Sequence, residues 1–175
     1  MTFHDLCHFT LSEAGLPMSD MGQCLTDSFT VTAPGSVAPP VICGTNDGQH
    51  SKLLQLLLLL QKLLVYCIFY WFIAVYVDAS QACNMLSFQL AGTGKRSWEI
   101  KVTQFNCNYN NLAPSGCTQY YFGSDMGTVQ SFNYVGGVHL AKQNQNICIR
   151  REQNMCRICY ATGQSQNLDF VTWTK

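Results

Sequence analysis

The sequence predicts an all-β protein: a disulfide-bonded β-sandwich interrupted by one long apolar segment, helical in character and long enough to reach across a membrane. Three observations lead there. Short apolar runs alternate with polar residues and end in Gly- or Pro-containing turns, which is the pattern of half-buried strands in a sandwich. Ten cysteines in 175 residues, most of them set among Gly, Ser, Thr, Asn and Gln, favour an oxidising compartment over a reducing one. One stretch, "SKLLQLLLLLQKLLVYCIFYWFIAVYVDAS" at 51–80, resembles nothing else in the chain.

The length accommodates one domain with a sizeable core, or two small ones. Charged residues make up 11% of the chain and the formal net charge is zero, so no basic field exists to hold nucleic acid, and that partner is excluded. The opening "MTFHDLCHFTLSEAGLP" has neither a basic n-region nor an uninterrupted apolar h-region, so no cleavable export signal is visible.

Residues 1–23 show little regular alternation and read as a poorly defined segment, with Cys7 its one feature of chemical weight. From Cys24, Phe29 and Val31 alternate with Ser28, Thr30 and Thr32 before a Pro/Gly-rich stretch, predicting a strand and then a loop. After the apolar run, Leu86, Phe88 and Leu90 share one face of a strand. Trp98, Ile100 and Val102 oppose Glu99, Lys101 and Thr103 on the next. The link "AGTGKR" between them has the Gly content of a hairpin. Residues 117–152 repeat short apolar-aromatic runs between Gly-containing turns, again as β.

Residues 53–77 carry only Gln55, Gln61 and Lys62 as clearly polar side chains, and as a helix they would span roughly 37 Å. The uninterrupted part, Leu63 to Val77, would reach about 22 Å, so a full crossing must include Lys62 with its amine snorkelling. Tyr66, Tyr70, Trp71 and Tyr76 lie inside the run instead of forming two belts, and Lys52, Lys95 and Arg96 do not decide an orientation. A buried core helix is the poorer reading, because a β-rich chain offers too little apolar surface to wrap it.

The flanks of this run resemble a known family. "CLTDSFTV", followed by Cys43 and Gly44, is similar to the second half of a CUB domain, an extracellular disulfide-bonded β-sandwich. Cys24, Asp27, Cys43 and Gly44 match that pattern, and "LSFQL" and "WEIKV" resemble its later strands, so the likeness runs from Cys24 to about Gln104. "SGCTQYYFGSDMGTVQSFNY" resembles the opening of a second CUB domain, with Cys148 where a second cysteine could close it. Together with "VTQFNC", "HLAKQNQNICIRRE" and "CRICY", these words look most like uncharacterised secreted arthropod proteins carrying CUB-like domains. The resemblance implies a CUB-like domain (C-terminal portion) at 24–106, interrupted by an insertion at 51–75, and an incomplete second one at 107–175. A sandwich cannot be split across a bilayer. Residues 51–75 therefore read as foreign to the domain, most simply a translated intron, and "YVDAS" as part of it.

The same resemblance pairs Cys24 with Cys43 and Cys117 with Cys148. Cys83, Cys107, Cys156 and Cys159 are also expected in disulfides, Cys83 with Cys107 from the strands they flank, while Cys67 in the apolar run is expected as a free thiol. For "CRIC" at 156–159 a structural disulfide is favoured over half of a zinc site or a redox pair. Many CUB domains bind calcium through a Glu, two Asp and a loop residue. Asp27 matches one Asp, but no later Asp follows "LSFQL" and no N-terminal Glu is identified, so no calcium site and no other cofactor is expected. No catalytic motif is present, and His4, His8, His50 and His139 stand without partners for one. The expected function is non-enzymatic and extracellular, presenting sheet edges and loops to a protein or glycan. The alternative is a single-pass membrane protein anchored by residues 53–77 with its Cys-rich part outside.

Overall fold

The computed structural model describes residues 2–11, 16–46, 73–123, 126–134, 137–162 and 171–174. Among these the chain is all-β. Eleven strands follow in order: β1 (Thr2–Leu11), β2 (Asp27–Thr32), β3 (Gly44–Thr45), β4 (Ile73–Val77), β5 (Met85–Leu90), β6 (Arg96–Gln104), β7 (Gln119–Tyr121), β8 (Gly127–Val129), β9 (Ile147–Ile149), β10 (Cys159–Thr162) and β11 (Val171–Thr174).

Two antiparallel sheets make the central sandwich. In one, β1 is flanked by β6 on one side and by β4 and β3 on the other. In the other, β2 pairs with β5 and bridges through Phe29 to Ile42. Period-two alternation turns one aromatic of each strand inward, and four of them close a ring between the sheets. Phe9 is the register partner of Trp98, and Phe29 of Phe88. Across the sheets the ring centroids lie 5.3 Å apart for Phe9 and Phe29, and 4.6 Å for Phe88 and Trp98.

The link "AGTGKR", expected to close a hairpin, instead crosses from one sheet to the other, since β5 pairs with β2 and β6 with β1. Asp27 supplies the reason. Its fully buried carboxylate accepts from the backbone N–H of Ala91 and Gly92, at 3.1 and 2.8 Å, and from Arg96 Nε at 2.7 Å. Arg96 also donates to the carbonyl of Gly92, so one ionic cluster at the start of β2 holds the crossover.

The N-terminal segment, expected to be poorly defined, provides β1, the strand on which the larger sheet is built. The apolar run also ends earlier than expected. Ile73–Val77 is β4, paired with Thr2–Leu6, and Val75 is fully buried in the core. Neither a span reaching Val77 nor an insertion reaching residue 75 fits this pairing. The continuous apolar residues Ala74–Val77 satisfy a strand as readily as the end of an apolar helix. The remainder of the run, with Cys67 and His50, lies outside the described residues. Among the described residues no helix is long and apolar enough to cross a membrane.

The expected boundary between residues 106 and 107 does not divide two cores. Phe132 and Leu140 are buried in one cluster with Phe9, Leu11, Phe29, Val31 and Ile42. Two asparagines lock this junction: Asn133 N–H donates to Asn46 Oδ1 at 2.7 Å, and Thr45 N–H donates to Asn133 Oδ1 at 2.8 Å. Asn133 Oδ1 occupies the space a Cβ on residue 44 would take, at 2.2 Å, and φ there is +75°, so only glycine fits. Tyr76 N–H donates to the carbonyl of Thr118, joining β4 to the start of β7. β7 pairs in parallel with β9, and β8, β11 and β10 form a further antiparallel sheet.

Candidate interaction surface

The core is sealed on one side and open on the other. Phe9 and Phe29 are fully buried, yet their ring neighbours on the outer strands are not: Phe88 is half-buried and Trp98 is 39% exposed. β5 and β6 lie at the corresponding margins of the two sheets, and among the described residues each pairs with one strand only. Their inward-facing residues therefore have core neighbours on one flank and none from their own sheet on the other. Leu86, Leu90 and Val102 are 38%, 44% and 47% exposed in consequence.

Between these strands runs a groove of about 300 Å³, lined by Val31, Cys83, Asn84, Leu86, Val102 and Gln104 among others. Its floor is the apolar inner face and its rim carries amides. Apolar residues gathered at a polar-rimmed margin mark contact surfaces. Two unpaired strand margins beside them add backbone donors and acceptors. Leu86, Phe88, Leu90, Trp98, Ile100 and Val102 were all legible as one-faced strand positions. Their exposure was not, because alternation tells which face turns inward and not whether another strand covers it.

Cys24 and Cys43 are bridged with their Cα atoms 5.5 Å apart, and Cys117 and Cys148 with theirs at 5.8 Å. The other four cysteines expected in disulfides, Cys83, Cys107, Cys156 and Cys159, are exposed free thiols. Cys83 precedes β5 and Cys107 follows β6, and these strands belong to different sheets. Cys156 lies in an irregular stretch, Cys159 opens β10, and both thiols are exposed. Cys83 stands at the groove and so joins the surface as a thiol.

Asp27 does not offer its oxygens to a cation, for Arg96 and two backbone amides already take them. The Arg96 hydrogen bonds, foremost among the causes, hold its carboxyl below the usual carboxylate range against the opposing effect of burial. No group of three or more His, Cys, Asp or Glu side chains among the described residues is arranged to hold a metal ion. A second ionic cluster supports the C-terminal part. Arg150 Nε donates to Glu152 at 2.9 Å, Arg150 Nη1 donates to Asn111, and the guanidinium lies over Phe122, 5.1 Å from its ring centroid. Glu152 also accepts from Gly123 N–H; with Arg150 as the larger influence, this holds its carboxyl low.

No curated protein and no solved structure matches the chain. Residues 114–174, which contain the Cys117–Cys148 bridge and β7 to β11, match the family model of the animal CUB domain.

Proposed function

We propose that this protein is a non-enzymatic extracellular interaction module and that the open β5–β6 side is its binding surface. One observation carries the reading: the inward-facing residues Leu86, Leu90, Trp98 and Val102 are left partly exposed together, along strands with free margins. A protein partner suits this surface, since it can extend a sheet and cover the apolar floor in one contact. The CUB match at 114–174 and the two bridges support action in an oxidising, extracellular setting. Pairing of β2 with β5 supports a secreted chain over a once-spanning one, because it brings residues from before and after the apolar run to one side.

The test is a binding screen of the secreted chain against immobilised extracellular proteins and glycans, with Val102→Lys and Leu86→Lys as comparisons. Val102 and Leu86 are 47% and 38% exposed, so a lysine there is tolerated by the fold. Retention of a protein that both substitutions weaken at least about tenfold, worth about 1.4 kcal/mol, is expected. Retention insensitive to both, or of glycans alone, would reject this surface.

A further inference from the structure

Resting on that reading, we infer that the partner of the β5–β6 side is a second copy of this chain, joined by antiparallel pairing of β6 with itself about Ile100. The sequence of β6 is self-complementary in that register. Set "SWEIKVT" against its own reverse and Glu99 falls opposite Lys101, Trp98 opposite Val102, and Ser97 opposite Thr103. Opposite charges, an aromatic against a β-branched residue, and a hydroxyl pair are the cross-strand combinations that stabilise antiparallel sheets. Each occurs twice across the two-fold axis, as a closed dimer requires.

The structure leaves this margin open. Among the described residues β6 pairs with β1 alone, so no described strand takes its other edge. Arg96 reaches Asp27 across the sandwich and Trp98 stacks on Phe88, so even-numbered positions face inward and odd-numbered ones outward. In the dimer, Trp98 and Val102 of each copy cover one another on the inner face, where they are now 39% and 47% exposed. Outside, Glu99 of each copy meets Lys101 of the other. A formal net charge of zero puts no long-range repulsion between copies.

Sedimentation velocity of the full chain, from about 1 to about 100 µM, tests this with two charge reversals. The wild-type chain is expected to dimerise within that range. Glu99→Lys alone, or Lys101→Glu alone, sets like charges against each other twice and is expected to weaken association about thirtyfold. Combining the two restores the complementary pairs between copies and is expected to restore the dimer. A wild-type chain that stays monomeric, a single reversal that leaves the dimer intact, or a combined variant as monomeric as the single ones would overturn the inference. If the monomeric chain still retains another extracellular protein through Val102 and Leu86, the dimer falls and the binding reading stands.

Discussion

Replacing Phe132 by alanine tests whether the CUB-matched segment and the strands before it form one folding unit. Phe132 is fully buried and packs in the cluster that contains Phe9, Phe29 and Ile42. Truncating a buried phenylalanine costs about 3–5 kcal/mol, from lost transfer energy and an unfilled cavity. Against a typical stability of about 5–15 kcal/mol, the middle of that range shifts the folding equilibrium nearly a thousandfold. If the core is shared, the loss is felt equally by residues far away in sequence. Hydrogen exchange read by mass spectrometry reports this directly: protection of the Phe29 and Ile42 amides, which bond to each other's carbonyls at 2.8 and 3.0 Å, is expected to fall with that of residues 117–149. Loss confined to residues 114–162, with the β1–β2 amides unchanged, would refute the single core. Neither of these bridges joins the two parts, for Cys24–Cys43 lies before residue 107 and Cys117–Cys148 after residue 113. Chain cut within residues 107–113 is thus expected to stay associated without any covalent tie and to separate in urea.

Asp27→Asn is expected to lower stability by about 1–3 kcal/mol, the cost of weakening buried charge-assisted hydrogen bonds. Because Arg96 holds the folded pKa below the ordinary value, the wild-type advantage is complete above about pH 4 and disappears as pH falls through the folded pKa. Urea midpoints of both chains should converge in acid, and a gap independent of pH would contradict the ion pair. Under native conditions a maleimide is expected to label Cys83, Cys107, Cys156 and Cys159 but not Cys24, Cys43, Cys117 or Cys148. A peptide carrying a Cys156–Cys159 bridge would contradict this. Removing the Cys117–Cys148 bridge, which joins residues 31 apart, is expected to cost about 3.7 kcal/mol by the chain-entropy relation, read as a lower denaturant midpoint.

Strands β2, β5 and β6 were legible because each alternates cleanly, and the two bridged pairs were legible through the family resemblance. β1 was not. Its "TFHDLCHFTL" places His, Asp and Cys among the apolar residues, and a register shift between Leu6 and His8 breaks the period of two. β4 was hidden for the opposite reason: Ile73, Ala74 and Val75 continue an apolar run, and continuous hydrophobicity carries no periodicity to separate strand from helix. The hairpin expected at "AGTGKR" failed on a tertiary contact, since glycine marks a turn but does not say which strands it joins. What redirects this one is the Asp27–Arg96 cluster, whose partners lie 69 residues apart. The Asn46–Asn133 lock escaped for the same reason, at a separation of 87.

The chain's later part, residues 114–174, matches the family model, and the core explains how it fits the earlier part, the strands β1 to β6. Alone, the later part buries a small cluster around Ala113, Cys117 and Tyr120, against which Tyr76 of β4 packs. Its larger buried side chains, Phe132 and Leu140, sit in the core of the earlier part. The earlier part in turn depends on Phe132 and Leu140 to close its cluster and on Asn133 to satisfy Asn46 and Thr45. Each supplies what the other lacks on that side of the sandwich. Among the described residues no further strand pairs with β5 or β6, so inward-facing residues at that margin meet solvent. A strand from outside, paired in the plane of the sheet, can complete that margin as well as one from within. The symmetry of "SWEIKVT" makes the same strand from a second copy a fitting one.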